Sequence, residues 1–583
     1  MVPHPALATH AGMRPSYANF HANSGSPRPI MIDGFRLLRR KRSCMERWMG
    51  KWTAFVVMGL GTAWAAFGQT AGGGTQACAA LSKLTAPQTE IVQAATVEAG
   101  TLDLHQEHPN PIFKKLPAFC RVVAVAHPTA DSDIRIEVWL PLSGWNGKFV
   151  GQGNGGFAGS IGYQGLAIAV LSGAASGGTD TGHTGGATDS DWALGHPEKV
   201  VDFGNRAVHV MTELSKTVVE AFYASAPQRS YFSSCSDGGR EALMEAERFP
   251  GDYDGILAGA PAYNWTSLLS RAAQMAKDLQ SNPEKYVPAS KVPAINKAVL
   301  AACRSHEAAA FLADPRTCHF SPDTLLCKGA ETDACLTPAQ AGSVKALYAS
   351  SYLKDGKLVY HGLLSGGELG DNGWPGWITG DSPNNSAGSK YAGGYFRNLV
   401  YSNPNWDLNS FDLDRDLKAA EEKTAGALDA VNPDLTAFKA RGGKLILYHG
   451  WNDPAISPLA TIDYYNSVVE TVGAQQTGEF VRLFLVPGMQ HCAGGPGPTD
   501  FGQWGPSFNP AFDDAAHNIT IALEQWVEKG TAPEQVIARG NTDPSGAGKG
   551  TKFAQPICAY PQAAQYKGSG DRKNAASYAC AGK

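Results

Sequence analysis

Residues 230–250 read "SYFSSCSDGGREALMEAERFP", an apolar run followed by a serine- and glycine-rich turn and then by a helix-forming segment. The turn places Ser236 in S-C-S-D-G, a variant of the G-x-S-x-G motif in which Ser234 replaces the first glycine. In this motif a strained turn exposes a serine oxygen beside a helix N-terminus, which stabilises negative charge. Ser236 is therefore a candidate nucleophile. A purely structural turn is the alternative, because such turns are common after strands.

An acid and a base follow Ser236 along the chain. Asp453 ends the segment "GKLILYHGWND" (443–453), and His491 follows the apolar part of "VRLFLVPGMQHC" (481–492). Both residues come directly after apolar runs typical of buried strands, whose loops gather at one edge of a parallel sheet. Taken singly, the alternatives are a turn residue for the aspartate and a structural polar contact for the histidine. Together with the serine, in the order used by α/β-hydrolases, they predict a catalytic triad.

Two cysteines flank the predicted triad, since Cys235 precedes Ser236 and Cys492 follows His491. A disulfide between them would hold the two Cα atoms about 5.5 Å apart and so tie the serine turn to the histidine loop. The alternative is that Cys235 acts as a second nucleophile. We favour the disulfide, because the chain carries export features and a partner cysteine.

The oxyanion hole of a serine hydrolase needs two backbone N–H groups that point at the developing negative charge. The amide of Asp237, directly after the nucleophile, is one candidate. The second is predicted in "QGNGGF" (152–157), where Gly156 is the chosen residue. A plain tight turn is the alternative for this glycine-rich loop.

Apolar runs alternate with helix-forming segments along most of the chain, which indicates an α/β fold with a largely parallel sheet. Residues 134–142 ("IRIEVWLPL") alternate like a strand, and residues 165–173 ("GLAIAVLSG") form a further apolar run. Residues 262–430 break the alternation. We predict that they form a lid domain between nucleophile and acid, inserted into a catalytic domain of residues 74–261 and 431–583. The cysteines and aromatic residues of the segment argue against a disordered linker.

Length and charge narrow the functional class. With 583 residues the chain exceeds one simple core, which suggests one large domain with an insertion or two domains. The formal net charge of −4 offers no basic excess for nucleic acid and no acidic tail. A nucleic-acid partner is therefore not expected.

The first 73 residues have the character of an over-extended N-terminus followed by a signal peptide. From Met45 onward, basic residues precede an apolar run at 52–67 and then small residues, the order of a secretory signal. The run is too short and too rich in glycine for a membrane span. We expect the true start at Met45 and an ordinary export signal, although a twin-arginine signal at 39–42 ("RRKR") is the alternative. The mature chain is then periplasmic or secreted, without membrane insertion.

The cysteine count agrees with export. The chain has 11 cysteines, and removal of Cys44 with the leader leaves an even number, as expected for disulfides in an oxidising compartment. Zinc is the alternative, but the sequence contains no C-x-x-C pair. We therefore predict no zinc site.

Several segments resemble the tannase and feruloyl esterase family of serine hydrolases: "CSDGGRE", "FPGDYDGILAGAPA", "GGKLILYHGWND", "RLFLVPGMQHCAGGPG" and the tail "YPQAAQYKGSGD". The resemblance extends over residues 75–583. It implies an α/β-hydrolase fold with a large lid domain between nucleophile and acid, and Ser236, Asp453 and His491 as the triad. It also implies hydrolysis of aromatic esters, such as feruloyl, galloyl or terephthaloyl esters, without a cofactor for the chemistry.

The same resemblance implies four further disulfides: Cys78–Cys120, Cys303–Cys318, Cys327–Cys335 and Cys558–Cys580. The family also holds a structural calcium in the lid loop that corresponds to 303–318, but here the loop departs from the acidic pattern. Arg304 and Phe311 stand where carboxylates are expected. Because calcium takes about six to eight oxygen ligands, we expect the site to be damaged or absent, with Glu307 and Asp314 as residual candidates. A local error in the sequence is another explanation.

The sequence therefore predicts an exported esterase whose partner is a small aromatic ester. The sequence contains no feature that indicates an oligomeric state. One alternative is a secreted serine peptidase of the same fold. The other is a catalytically silent binding protein, and the intact triad argues against this second alternative. Arg397 is a candidate for contact with an anionic substrate, an ordinary surface position being the alternative. The aromatic lid residues are candidates for the acyl pocket, a buried lid core being their alternative: Trp374, Trp377, Tyr391, Tyr395 and Phe396.

Overall fold

The computed structural model describes residues 71–280, 282–304, 310–370, 372–541 and 552–582. Residues 1–70, which include Met45 and most of the predicted signal segment, lie outside these ranges. None of the helices in the described ranges has the length and hydropathy of a membrane span.

A mixed sheet forms the centre of the molecule. The strands in chain order are β1 (Thr89–Val97), β2 (Phe119–Ala126), β3 (Ile134–Pro141), β4 (Lys148–Gln152), β5 (Ala175–Thr179), β6 (Arg229–Cys235), β7 (Gly255–Gly259), β8 (Ser351–Tyr352), β9 (Leu358–Tyr360), β10 (Lys444–Gly450), β11 (Val481–Val486), β12 (Gln535–Asn541), β13 (Lys552–Cys558), β14 (Ala563–Tyr566) and β15 (Tyr578–Ala581). Within the described residues, nine strands build the central sheet in the order β1-β2-β3-β5-β4-β6-β7-β10-β11. Strands β8 and β9, β12 and β13, and β14 and β15 form three separate pairs.

Within the sheet, the neighbouring strands β5, β4, β6, β7, β10 and β11 are all parallel. Strands β1, β2 and β3 extend this parallel part with antiparallel pairs. The parallel register sets Cys235 beside Gly259 and Gly450 beside Val486, so the carboxyl ends of these strands meet at one edge. Side chains that follow such ends are brought together. The predicted α/β fold with a largely parallel sheet is confirmed.

Helices cover both faces of the sheet. Successive residues of β6 point to opposite faces: Phe232 joins the core that includes helix residues 207–222 and 242–246, whereas Tyr231 joins the core that includes 519–526. The apolar run at 165–173 forms most of helix α2, because a short apolar run does not distinguish a strand from a buried helix. The α-helices are α1 (Ala71–Ala80), α2 (Tyr163–Leu171), α3 (Pro197–Val201), α4 (Ala207–Tyr223), α5 (Asp237–Arg248), α6 (Trp265–Gln280), α7 (Val292–Cys303), α8 (Pro338–Tyr348), α9 (Ala387–Gly394), α10 (Leu413–Ala420), α11 (Gly426–Leu428), α12 (Thr436–Ala440), α13 (Pro458–Val472), α14 (Ala474–Gly478) and α15 (Ile519–Lys529).

The chain leaves the sheet after β7 and returns to it at β10, although these two strands are direct neighbours. The ends of the excursion meet, since the amide of Ala430 donates to the carbonyl of Tyr263 at 2.8 Å. In between, α6 to α11 and the β8–β9 pair build one apolar core of their own around Trp374, and a second core around Tyr395 and Phe396 that is shared with residues such as Phe157 and Phe203. The segment between β7 and β10 therefore has the architecture of an insertion.

Five disulfides cross-link the described residues: Cys78–Cys120, Cys235–Cys492, Cys303–Cys318, Cys327–Cys335 and Cys558–Cys580. Four of them are the pairs that the family resemblance implies, and Cys235–Cys492 is the pair predicted from its position beside the triad. Two bonds, Cys303–Cys318 and Cys327–Cys335, close loops of the insertion, and another joins the C-terminal strands β13 and β15.

Candidate active site

Ser236 occupies a sharp turn between β6 and α5. Its backbone has φ 66° and ψ −117°, a sparsely populated positive-φ conformation that costs a residue other than glycine about 1–3 kcal/mol. Two hydrogen bonds hold this turn against the end of β7: the Ser236 amide donates to Gly259 O at 2.7 Å, and the Ala262 amide donates to Ser236 O at 2.9 Å. A Cβ atom on Gly238 would lie 1.8 Å from Ser234 Oγ, so the close turn requires glycine there.

The three predicted triad residues lie in one hydrogen-bonded chain. His491 Nε2 is 2.8 Å from Ser236 Oγ, and His491 Nδ1 is 2.7 Å from Asp453 Oδ2. An ionised carboxylate only accepts, so the imidazole proton lies on Nδ1 and leaves Nε2 to accept from the serine hydroxyl. All three side chains are buried, and Ser236 and His491 line a cleft. This arrangement can activate a serine oxygen as a nucleophile.

The carboxylate of Asp453 accepts hydrogen bonds at both oxygens. Its Oδ1 accepts from the amides of Ala455 at 2.8 Å and Ile456 at 2.9 Å. Its Oδ2 accepts from His491 and lies 3.2 Å from Nε2 of a second histidine, His449. Burial acts to raise the pKa of Asp453, but the interactions with His491 and His449 outweigh it and lower the pKa below its ordinary value. The carboxyl group is therefore ionised at neutral pH.

His449 did not emerge from the sequence as a site residue. It lies in β10, four positions before Asp453, and its side chain is fully buried. The available signal was a histidine inside an otherwise apolar strand segment, "LILYHG". That signal alone does not separate a site residue from a satisfied core histidine.

The predicted oxyanion residues, Gly156 and Asp237, line the cleft together with Ser236. Within the described ranges, neither backbone amide donates a hydrogen bond to another residue. The loop that contains Gly156 is held from behind, because the Phe157 amide donates to Ala187 O at 2.7 Å and His183 Nε2 donates to Phe157 O at 2.7 Å. Two unpaired N–H groups beside the serine are suited to an anionic oxygen.

The walls of the cleft are mainly apolar and aromatic. Helix α6 contributes Trp265, Leu268, Leu269, Ala272 and Met275, and the insertion also contributes Trp377 and Tyr391. The ring of Trp377 lies edge-to-face with His491 at 4.8 Å and stacks on Tyr391 at 6.0 Å. The cleft and its open mouth contain about 560 Å³ of empty space.

The other predicted lid residues lie elsewhere. Trp374 is fully buried in a core of the insertion, and Tyr395 and Phe396 are fully buried in the core that the insertion shares with the rest of the chain. A buried position was the alternative for each of them. Arg397 is absent from the cleft lining in the described part of the chain. Trp265, which the sequence did not single out, lies in the lining instead, and the guanidinium of Arg240 rests 4.5 Å from its ring.

The described part of the loop at 303–318 fits calcium poorly. In its described residues, 303–304 and 310–318, Asp314 is the only carboxylate, and Arg316 binds both of its oxygens at 2.9 and 2.8 Å. Phe311 stacks on Phe553 at 6.1 Å instead of offering an oxygen ligand. Glu307 lies outside the described residues. The described part of the loop therefore lacks the set of oxygen ligands that calcium requires.

Comparison with known proteins finds relatives that are named esterases. The family model described as tannase and feruloyl esterase matches residues 120–581. An uncharacterized esterase from Xanthomonas campestris pv. campestris is 38% identical over 544 residues, covering 88% of this chain and 92% of that protein. A probable feruloyl esterase B from Aspergillus clavatus is 33% identical over 515 residues, covering 86% of this chain and 95% of that protein.

A solved structure agrees with these relatives. The crystal structure of feruloyl esterase B from Aspergillus oryzae superposes with a TM-score of 0.79 at 29% identity, covering 87% of this chain and 100% of that one. The α/β-hydrolase fold predicted from the sequence is confirmed by this match. The chain belongs to the tannase and feruloyl esterase family of carboxylic ester hydrolases.

Proposed function

We propose that this chain is an exported serine esterase that hydrolyses esters of aromatic acids through an acyl-enzyme on Ser236. The observation that carries the proposal is the continuous hydrogen-bonded chain from Asp453 through His491 to Ser236, whose last two members line an aromatic cleft. Membership of an esterase family supports ester hydrolysis as the reaction.

In the proposed mechanism, His491 Nε2 accepts the proton of Ser236 as the serine oxygen attacks the ester carbonyl carbon. Asp453 accepts the Nδ1–H hydrogen bond and stabilises the resulting imidazolium. The ester C–O bond then breaks, and the proton passes from Nε2 to the departing alcohol. In the second half, His491 takes a proton from water as the water oxygen attacks the acyl carbonyl carbon. The bond to Ser236 Oγ then breaks, His491 returns the proton to Oγ, and the aromatic acid leaves.

The amides of Gly156 and Asp237 are the proposed oxyanion donors. Their position in the cleft lining and the absence of other acceptors among the described residues support this role. One such donor is worth about 10²–10³ in kcat, because it stabilises charge that appears only in the transition state.

The cleft lining favours an uncharged aromatic acyl group. Within the described residues it contains no lysine or arginine to pair with the free carboxylate of a terephthalate monoester. It also offers few polar side chains for the three hydroxyls of a galloyl group, and an unpaired buried hydroxyl is costly. A feruloyl group presents one hydroxyl and one methoxy group. Feruloyl-type esters are therefore the proposed preferred substrates, in line with the names of two similar proteins.

Residues 262–430 are proposed to act as the lid. Support comes from helix α6, Trp377 and Tyr391, which supply most of the cleft walls from this segment. Export is proposed on two grounds, the leader-like sequence of residues 1–73 and the five disulfides, which are stable in oxidising compartments.

The test is steady-state hydrolysis by the purified mature chain of methyl ferulate, methyl gallate, chlorogenate and mono(2-hydroxyethyl) terephthalate. We expect the highest kcat/KM for methyl ferulate. Ser236→Ala should lower kcat by at least about 10³-fold, because the nucleophile is removed. Ser233→Ala, a serine of the same strand outside the cleft lining, serves as the matched control and should retain activity.

Three results would contradict the proposal. Ester turnover that survives Ser236→Ala would exclude the proposed nucleophile. Faster cleavage of peptide amides than of any ester would favour a peptidase. Binding of aromatic esters without turnover, in a correctly folded and oxidised protein, would favour a silent binding protein.

A further inference from the structure

We propose that His449 is a positioning residue that fixes the carboxylate of Asp453 and, through it, the imidazole of His491. The inference rests on the proposed function, because it assigns a role within the proposed triad. His449 does not line the cleft among the described residues, and its Nε2 reaches the site through Asp453 and through the carbonyl of Ile456, a residue of the lining.

The hydrogen bonds of His449 define its tautomer. Its Nε2 is 3.0 Å from the carbonyl oxygen of Ile456, which can only accept, so Nε2 carries a proton. The same N–H is shared with Asp453 Oδ2 at 3.2 Å. The other nitrogen, Nδ1, lies 2.7 Å from Thr461 Oγ1, whose hydroxyl can donate to it. The ring is thus held at both ends, with a donor directed at the proposed triad acid.

The carboxylate of Asp453 therefore accepts hydrogen bonds from four N–H donors. Two backbone amides occupy Oδ1, and two imidazole N–H groups, from His491 and His449, converge on Oδ2. A carboxylate that shares Oδ2 between two rings cannot rotate without loss of both contacts. Because the Nδ1–H of His491 must keep this acceptor to leave Nε2 free for the serine, His449 indirectly keeps the general base in its reactive orientation.

The burial of His449 indicates that its hydrogen bond to Asp453, and not only the space that its ring occupies in the core, matters for catalysis. The side chain of His449 is fully buried, as are those of Asp453 and Thr461, so the group is surrounded by protein and loss of the donor is not replaced by bulk water. Loss of the donor should therefore weaken the orientation of His491 and lower kcat. KM should change little, because no atom of His449 contacts the cleft.

Two substitutions of similar polarity test the proposal. His449→Gln places an amide nitrogen near the position of Nε2 and can still donate to Asp453. His449→Asn is shorter and reaches only the Thr461 side. We expect His449→Gln to stay within about 3-fold of the wild-type kcat, and His449→Asn to lose 10- to 100-fold in kcat with KM within about 2-fold. Equal activity of the two variants would overturn the proposal.

A double-mutant cycle with Asp453→Asn identifies the route of the effect. If His449 acts through the carboxylate, His449→Asn should cause little further loss of kcat in the Asp453→Asn background. A multiplicative loss would show an independent structural effect and would overturn the proposal. Thr461→Val, which removes the hydroxyl behind the ring, gives a second readout should His449→Asn not fold. We expect a 3- to 10-fold lower kcat, and an unchanged kcat would contradict the proposal.

Failure of this inference is distinguishable from failure of the proposed function. Ser236→Ala reports on the function, because it removes the nucleophile without contact to His449. If ester hydrolysis depends on Ser236 but is insensitive to His449→Asn and Thr461→Val, the function stands and the positioning role is excluded.

Discussion

The Cα atoms of Cys235 and Cys492 lie 5.9 Å apart, and the bonded cysteines are the chain neighbours of Ser236 and His491. The disulfide connects positions 257 residues apart in sequence. It therefore joins the serine turn to the histidine loop one residue away from the Ser236–His491 hydrogen bond. Both cysteines are fully buried.

Removal of this disulfide should lower kcat by more than the accompanying loss of folding stability explains. We expect Cys235→Ala/Cys492→Ala to lower kcat at least 10-fold, because the serine turn and the histidine loop lose their covalent connection. Removal of a native disulfide also lowers the free energy of unfolding by about 2–4 kcal/mol. Kinetics on methyl ferulate and urea unfolding measure the two effects.

The matched control is Cys558→Ala/Cys580→Ala, which opens a disulfide between the C-terminal strands β13 and β15. It should lower stability without a comparable loss of kcat at a temperature where both variants remain folded. If both variants lose activity in proportion to stability, the disulfide beside Ser236 has no special role in the site.

The backbone of Gly156 provides a second prediction. Its φ is +67°, and a Cβ atom there would lie 2.1 Å from Ala187 O. Gly156→Ala should therefore displace the proposed oxyanion amide and lower kcat by about 100-fold or more. Gly186→Ala, on the adjacent loop, is the control, because a Cβ there meets no atom within 4 Å. Equal kcat values for the two variants would exclude Gly156 from the oxyanion hole.

The aromatic wall of the cleft provides a third prediction. Trp377→Ala removes the ring that lies against His491 and Tyr391, so kcat/KM for methyl ferulate should fall about 10- to 100-fold through lost contact with the acyl ring. Hydrolysis of a short aliphatic ester should fall less. Trp504→Ala, at an exposed tryptophan outside the cleft lining, serves as control. Equal losses on aromatic and aliphatic esters would place the effect on His491 instead of on substrate recognition.

Chelation provides a fourth prediction. Because Arg316 engages the carboxylate of Asp314, we expect EDTA to leave the Tm of the protein unchanged within about 1 °C. Excess calcium, added after dialysis, is the complementary measurement and should give no stabilisation by ligand binding. A Tm that falls on chelation and recovers with calcium would show that the chain still holds the ion.

The sequence predicted the parts of the site that depend on local context. Ser236 stands in a strand–turn–helix motif, and Asp453 and His491 each follow an apolar strand, so the sheet topology brings them to one edge. His449 was missed because its contact with Asp453 depends on the turn after β10, which the strand pattern does not specify. Trp265 was missed because its place in the cleft depends on how helix α6 packs over the sheet.

The same distinction applies to the fold. The α/β class follows from the alternation of apolar runs and helical segments, whereas the run at 165–173 forms helix α2, since its apolar residues alone do not define a period. The backing of the Gly156 loop by His183 was also not predicted. Their contact joins segments from two different loops, and neither loop has a pattern that specifies its conformation.

His183 leads to a prediction of pH dependence. Burial lowers the pKa of its imidazole to about 4, and the neutral ring donates from Nε2 to Phe157 O behind the proposed oxyanion loop. An unfolded histidine has a pKa of about 6.5, so between pH 6.5 and 4 the unfolded chain binds more protons than the folded one. Protonation therefore favours unfolding, and the free energy of unfolding should fall as the pH falls through this window.

His183→Gln retains an amide donor for Phe157 O but removes the titrating group. Between pH 7 and pH 4, the free energy of unfolding of the wild type should fall by up to about 3 kcal/mol more than that of the variant, the value that corresponds to this pKa difference. Urea unfolding of both proteins at several pH values measures the difference. Asp180, whose pKa burial raises to about 7, acts in the opposite direction, but it is present in both proteins and so largely cancels in the comparison. Parallel pH profiles of the two proteins would mean that His183 is not buried in its neutral form and does not hold the loop as described.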